Sequence, residues 1–188
     1  MSLRKHSSAI GFTLVELIIA ISIISLAVAG VMLALTTAVR SSSEPVVQDQ
    51  ALAIAKSLLE EIESMPFTYC DPNDPAVYTA TSAAGCTTPE VLGPELGETR
   101  YSPTNPFNNV NDYNGFNTAT DSLPGIRDVT GTLISGLSAY NASVTITPTA
   151  LGSVPATASL LISVTVTGPG NVSVTVEGYR TMYAPNSV

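Results

Sequence analysis

GFTLVELIIAISIISLAVAGVMLALTTAV, residues Gly11–Val39, is the stretch around which the rest of the chain can be placed. Between Glu16 and Arg40 it carries no charge over roughly 23 residues, which is long enough to cross the hydrocarbon core of a bilayer as a helix. We therefore predict a membrane-spanning helix over residues 12–39. Glu16 is the exception within it, because a lone carboxylate in an apolar run is costly unless it lies near the interface or has a partner. We therefore also predict that Glu16 has a functional role in which its carboxylate interacts with a partner group.

The segment before the apolar run is short, polar and basic. Residues Met1–Gly11 read MSLRKHSSAIG and include Arg4 and Lys5. A secretory signal places its cleavage site after the apolar region, whereas the candidate cleavage site here lies before it. By the positive-inside rule, Arg4 and Lys5 stay in the cytoplasm and the chain beyond Val39 is exported. An ordinary single-pass anchor would share the apolar run, but it explains neither Glu16 nor the glycine-phenylalanine boundary.

This boundary resembles the cleavage site of type IV prepilins. In those proteins a glycine precedes a Phe-Thr-Leu-hydrophobic-Glu start, and residues 11–16, GFTLVE, match it position for position. The resemblance implies that residues 1–11 are a leader, that a membrane-embedded prepilin peptidase cleaves between Gly11 and Phe12, and that the same enzyme N-methylates Phe12. It also implies that the amine of Phe12 pairs with Glu16 of a neighbouring subunit in a filament core, where unpaired charges are costly.

Length and charge exclude several classes of function. A chain of 188 residues has room for one membrane helix and one ordinary domain. Its formal net charge of -8 becomes -10 without Arg4 and Lys5, so the chain lacks a basic nucleic-acid footprint. The single histidine, His6, belongs to the leader, which leaves the mature chain without a Ser-His or Cys-His pair and without a His-ligated zinc site. We therefore predict no enzymatic activity, no cofactor, no metal site and no nucleic-acid partner.

Cys70 and Cys86 are the only cysteines of the chain. An even count in an exported segment favours a disulfide between them. Free thiols or a metal pair are the alternatives, but the spacing is not that of a CxxC motif and the mature chain has no histidine. Closing a loop of this length would stabilise the fold by about 3 kcal/mol if chain entropy dominates.

The helical pattern continues beyond the apolar run and then changes its character. Pro45 interrupts it, so the helix either kinks or breaks, and we favour one continuous, bent helix from about Phe12 to Ser64. Residues 40–65 form an amphipathic half, because apolar residues recur at nearly helical spacing. Pro66 stops the helix, since the residue before a proline is pushed out of the helical region. The stripe consists of Ala51, Ile54, Leu58, Ile62 and Met65.

The last third of the chain reads as β-structure. Three segments alternate apolar residues with serine or threonine, as half-buried strands do: residues 142–147, 160–166 and 172–177. Residues 168–171, GPGN, predict a tight reversal between the last two. We expect an antiparallel meander whose apolar face covers the amphipathic helix, within a β-rich head over residues 66–188. The fold class is α+β, and the resemblance implies the type IV pilin fold.

Residues 67–123 are rich in proline, asparagine, glycine and aspartate, and they predict turns and short strands. Within them Asp112, Asn114, Gly115 and Asp121 have spacings that resemble part of a calcium loop. Val110 takes the place of the first ligand, however, so an Asx-rich turn is the favoured interpretation. Residues 112–116, DYNGF, also resemble a segment of minor pilin-like proteins of the mannose-sensitive haemagglutinin type of pilus.

These observations favour a minor type IV pilin of that type, either structural or assembly-initiating. Its expected partners are the prepilin peptidase, other pilin subunits through the N-terminal helix, an inner-membrane assembly platform and, before assembly, the lipid bilayer. The expected location is the inner membrane of a Gram-negative bacterium with the head in the periplasm, and then an extracellular pilus with a role in adhesion. A type II secretion pseudopilin and a membrane-anchored periplasmic binding module that never polymerises remain alternatives.

Overall fold

A computed structural model of the chain describes residues 13–120 and 125–188, with side chains described for all of these except residues 38–44. Gly11 and Phe12 of the predicted cleavage site, and Asp121 of the candidate calcium loop, lie outside the described residues. The chain divides into two compact units, Met1–Ser43 and Glu44–Val188. A long apolar N-terminal helix is followed by a small antiparallel sheet. The predicted α+β class is thereby confirmed, and the arrangement is consistent with the type IV pilin fold.

Helix α1 runs from Leu14 to Ser64 and contains Pro45. The prediction of one continuous helix is therefore correct, while the bend at Pro45 stays a prediction. The helix ends just before Pro66, as the sequence predicts. Its last turn closes with a bond from the N–H of Met65 to the carbonyl of Ile62 at 3.1 Å.

The buried face of α1 differs slightly from the predicted stripe. Ala51, Ala55, Leu58 and Ile62 are at most 7% exposed, whereas Ile54 and Met65 are only half-buried. The four buried residues are spaced by four, three and four positions, which places them on one face of the helix. Two of the four buried residues are alanines, whose small side chains allow the helix backbone to lie close to the sheet. Ile54 and Met65 still pack against the core, while the small Ala55, which the predicted stripe did not include, is fully buried in it.

The sheet has three antiparallel strands in the order β1-β2-β3, as predicted. They are β1 (Asn141–Pro148), β2 (Ser159–Thr167) and β3 (Ser173–Thr181). Cross-strand partners on the inner face include Val144, Val164 and Val176 in one row. The apolar residues of this face join those of α1 in one core cluster. Burial of this shared face holds the helix to the sheet.

Strand β3 extends four residues beyond the predicted end at Glu177. The prediction ended there because Gly178 interrupts the alternation of apolar residues. Gly178 pairs with Ile162 in the register. A Cβ atom at this position would lie 3.1 Å from Leu59 Cδ1 and would overlap the side chain of Glu63. The missing side chain therefore lets the helix cross β3 closely.

The segment between helix and sheet contains turns, short 3-10 turns and isolated bridges. Cys70 and Cys86 form a disulfide with a Cα–Cα distance of 5.4 Å. Asp74 closes the same loop, since its carboxylate accepts the N–H groups of Thr88 at 2.5 Å and Ala76 at 2.7 Å. These bonds, that of Thr88 foremost, lower the pKa of Asp74.

Replacing Cys70 and Cys86 together with serine should open this loop without unfolding the sheet. The disulfide packs with Val77 and Ala80 in a small cluster separate from the main core, so the loss of about 3 kcal/mol should be mainly local. Limited proteolysis of the full chain, read by mass spectrometry, should show new cuts between residues 71 and 85. Thr81→Ala, an exposed change in the same loop, should show none. Equal cleavage of the double variant and the wild type would contradict the expectation.

Candidate functional site

Thr13 and Glu16 define the start of α1. The hydroxyl oxygen Oγ1 of Thr13 accepts the N–H of Glu16 at 3.2 Å. Thr13 thus caps the helix N-terminus and satisfies one of its free N–H groups. Glu16 lies in the first turn, where the helix dipole favours a negative charge. Thr13 therefore marks the start of the helix, and Glu16 places a carboxylate in its first turn.

The surface around Glu16 is apolar and exposed. Residues Leu14–Thr37 form a helical stretch of 24 residues with a mean hydropathy of 2.7, and none of its most apolar window is buried within the chain. By length and composition this segment is able to cross a membrane. The exposed large side chains are Leu14, Val15, Leu17, Ile18, Ile19, Ile21, Ile23, Ile24, Leu26, Val28, Val31, Met32, Leu33 and Leu35. Such a surface requires lipid or other apolar helices as its surroundings.

The hydroxyl groups of this stretch bond within the helix. Ser22 donates to the carbonyl of Ile18 at 2.8 Å, and Ser25 donates to that of Ile21 at 2.7 Å. Thr36 and Thr37 bond to carbonyls three or four residues earlier in the same way. Each hydroxyl therefore has a partner that moves with it. Glu16 remains the one charged side chain between Leu14 and Thr37.

A partly buried ion pair joins the helix to the loops of the head. Arg100 donates from Nε to Glu61 Oε1 at 2.7 Å and from Nη2 to Glu61 Oε2 at 2.6 Å. The hydroxyl of Tyr113 donates to the same carboxylate at 2.8 Å. Burial opposes the charge of Arg100, but its bonds to Glu61 prevail and raise its pKa. Burial, with Glu61 nearby, raises the pKa of Tyr113. This network holds the turn-rich segment against α1.

The Asn-rich stretch forms a capped 3-10 turn, Val110–Tyr113. Asp112 Oδ2 accepts the N–H of Asn108 at 2.7 Å and that of Asn109 at 2.8 Å. Asn114 Oδ1 accepts the N–H of Ile146 in β1 at 2.9 Å. These are the side-chain-to-backbone bonds of the favoured Asx interpretation. The stretch thus positions the edge of the sheet as well as its own turn.

Other acidic residues surround Asp112. Burial, with the Asp112 charge next, raises the pKa of Glu90 to about 10. Burial also raises the pKa of Glu98 to about 7 and that of Asp112 to about 6. The sequence interpretation assigned no role to Glu90, Glu95 or Glu98, because they lie outside the Asn-rich stretch. Their short mutual spacing in residues 90–98, EVLGPELGE, was the available signal.

Comparison with known proteins finds a family match for the N-terminal segment. Residues 7–32 match the family model described as the prokaryotic N-terminal methylation motif. No curated protein and no solved structure matches the chain. The matched range includes Gly11, Phe12 and Glu16. It supports a type IV pilin-like or pseudopilin protein that is processed by prepilin peptidase, and with the apolar helix it fits membrane anchoring.

Proposed function

We propose that this protein is a minor subunit of a type IV pilus of the mannose-sensitive haemagglutinin type, with a structural rather than an enzymatic role. The observation that carries the proposal is the position of Glu16. It is the one charged side chain of the exposed apolar stretch Leu14–Thr37, and it lies in the first turn of α1. A plain membrane anchor needs the apolar side chains but gains nothing from the carboxylate.

The assembly step that we propose is a pairing between subunits. Cleavage after Gly11 leaves Phe12 with a cationic amine at the start of the apolar helix. In a filament core this amine meets the Glu16 carboxylate of a neighbouring subunit, which compensates two charges that would otherwise be costly. The pairing sets the axial register, while the apolar side chains exchange lipid for the helices of other subunits. Prepilin peptidase and an inner-membrane assembly platform are the other proposed partners.

Two features of the head favour a minor over a major subunit. A long turn-rich segment lies between helix and sheet, and the Cys70–Cys86 disulfide is in that segment. The similarity of residues 112–116 to minor pilin-like proteins supports the haemagglutinin-type system. We propose that the head lies in the periplasm before assembly and outside the cell afterwards, where it adds an adhesive or initiating surface to the filament.

Processing can be tested by mass spectrometry of the mature N-terminus. In a host with its prepilin peptidase, the chain should begin at an N-methylated Phe12. In the matched peptidase-deletion strain it should keep the segment before Phe12. An uncleaved chain in both strains would contradict the pilin proposal and favour a plain membrane-anchored domain.

The place of assembly can be tested by deletion of the gene. We expect loss or alteration of surface pili, and we expect the wild-type protein at low stoichiometry in the sheared pilus fraction. If the deletion instead blocks the release of folded proteins and leaves pili intact, the type II secretion alternative is correct. If neither phenotype appears, the binding-module alternative gains support.

A further inference from the structure

Carboxylates from three separate segments converge in the head. Asp71, Glu95 and Glu98 each place a carboxylate oxygen within 4.8 Å of the other two, and the same holds for Glu90, Glu95 and Asp112. Glu95 belongs to both groups, so the five side chains form one acidic cluster, which these residues define. Its members come from the residue after Cys70, from residues 90–98 and from the 3-10 turn. The five residues are too far apart along the sequence to match a linear calcium-loop motif.

Five carboxylate oxygens of the acidic cluster are buried without a donor in the described part of the chain, whereas Glu98 and one oxygen of Asp112 accept hydrogen bonds. Asp112 is fully buried, Glu98 is 6% exposed and Asp71 is 7% exposed. Within the described residues, both carboxylate oxygens of Glu90 and of Glu95 and the Oδ1 atom of Asp112 are buried without a hydrogen-bond partner. Each such atom carries a desolvation cost that a protein donor would normally offset. Several of them in one place require either a bound cation or shared protons to offset this cost.

Two neutral side chains provide independent support. Asn108 lies between two members of the cluster, since its Nδ2 donates to Glu98 Oε1 at 3.0 Å and its N–H donates to Asp112 Oδ2 at 2.7 Å. Its Oδ1 is nevertheless buried without a donor. Asn111, 7% exposed, also has an Oδ1 without a donor, and it borders the same cleft as Glu90. Amide carbonyls of this kind are ordinary ligands of a hard cation.

We propose that the acidic cluster, together with the side-chain carbonyls of Asn108 and Asn111, binds one calcium ion. Calcium takes six to eight oxygen ligands at about 2.3–2.6 Å, in flexible geometry that accepts carboxylates and amides together. Two oxygens bound to one ion are then at most about 5 Å apart, which agrees with the separations within each group. The ligand set contains only oxygen, which disfavours zinc and copper.

The bound ion would connect parts of the head that are distant in sequence. Asp71 directly follows Cys70 of the disulfide, and the 3-10 turn of Asp112 ends in Tyr113, which donates to Glu61 of α1. Calcium would thus tie the disulfide loop and residues 90–98 to the turn that contacts the helix. The inference does not depend on assembly into a pilus, so its failure would leave the proposed function unaffected.

Shared protons are the competing explanation, because protonated carboxyl groups could bond to one another in the same volume. Calcium titration of the purified full chain in detergent at pH 7.4 distinguishes the two. Calorimetry should show saturable binding of one ion with a Kd of about 10⁻⁴ M or tighter. With 5 mM calcium, well above this Kd, the unfolding midpoint should exceed that in EDTA. Absence of binding heat, or an equal midpoint shift with magnesium, would overturn the proposal.

Glu95→Gln is the sharpest variant, because Glu95 is common to both groups and glutamine keeps its shape. The variant should bind calcium at least tenfold more weakly. Its midpoint in EDTA should be equal to or above that of the wild type, because one repelling buried charge is gone. Glu60→Gln, the same change at an exposed helix position, should alter neither quantity. Wild-type calcium affinity in Glu95→Gln would overturn the proposal, and Asp71→Asn offers the same comparison should Glu95→Gln not fold.

Discussion

Replacing Arg100 with methionine is expected to lower the free energy of unfolding of residues 44–188 by about 3–5 kcal/mol. The Arg100 side chain is 9% exposed and that of Glu61 is 19% exposed. Removal of the guanidinium leaves the Glu61 carboxylate desolvated, with Tyr113 as its remaining donor among the bonds described above. An uncompensated buried charge costs far more than the ion pair contributes.

Urea unfolding of the purified full chain, followed by tyrosine fluorescence, measures this loss. Lys56→Met removes an exposed cation from the same helix and should change stability by less than about 0.5 kcal/mol. Combining Arg100→Met with Glu61→Gln should recover about 1–3 kcal/mol relative to the sum of the single changes, because both charges are then absent. A loss below about 1 kcal/mol for Arg100→Met, or simple additivity, would show that the pair contributes little.

The substitution Glu16→Ala should remove the protein from filaments while leaving its processing intact. Without the carboxylate, the amine of a neighbouring Phe12 has no counter-charge in the apolar core. A cost of about 3 kcal/mol or more corresponds to a partition into filaments at least about a hundredfold lower. The subunit should therefore accumulate in the membrane.

Immunoblots of sheared pili and of membranes measure the partition, and mass spectrometry of the membrane form verifies cleavage before Phe12. Ser25→Ala is the matched control, because it removes a polar group from the same helix without removing a charge. It should incorporate as the wild type does. Normal incorporation of Glu16→Ala would rule out the pairing mechanism, whereas an uncleaved Glu16→Ala chain would assign the residue to processing.

Local periodicity is what made most of the fold predictable. The helix was predictable because charge-free and amphipathic patterns succeed one another up to Pro66. The strands β1 and β2 were predictable to within one residue at each end, because valine, isoleucine and leucine alternate with serine and threonine. Glu16 was also predictable, since one carboxylate in a charge-free run is a short-range signal, whereas the cap that Thr13 provides was not predicted.

Long-range contacts account for what the sequence did not reveal. Gly178 reads as a break in β3, and its reason, the close passage of Leu59 and Glu63, exists only in the folded chain. Glu61 reads as an exposed helix charge, yet Arg100, 39 residues away, binds it. The acidic cluster likewise combines three segments whose spacing follows no motif. Sequence patterns report neighbours along the chain, so sites assembled by loops leave little trace in them.

The hydroxyl groups in the apolar part of α1 affect how easily the helix can move between a bilayer and a bundle of helices. The hydrogen bonds of Ser22, Ser25, Thr36 and Thr37 are all internal to one helix. A subunit that leaves a bilayer for a bundle of helices, or returns, therefore breaks none of them. In the proposed assembly, transfer in either direction would then depend on apolar contacts and on the pairing of the Phe12 amine with Glu16. If the chain assembles as proposed, we expect a subunit to pass between membrane and fibre in either direction without rebuilding the hydrogen bonds of its helix.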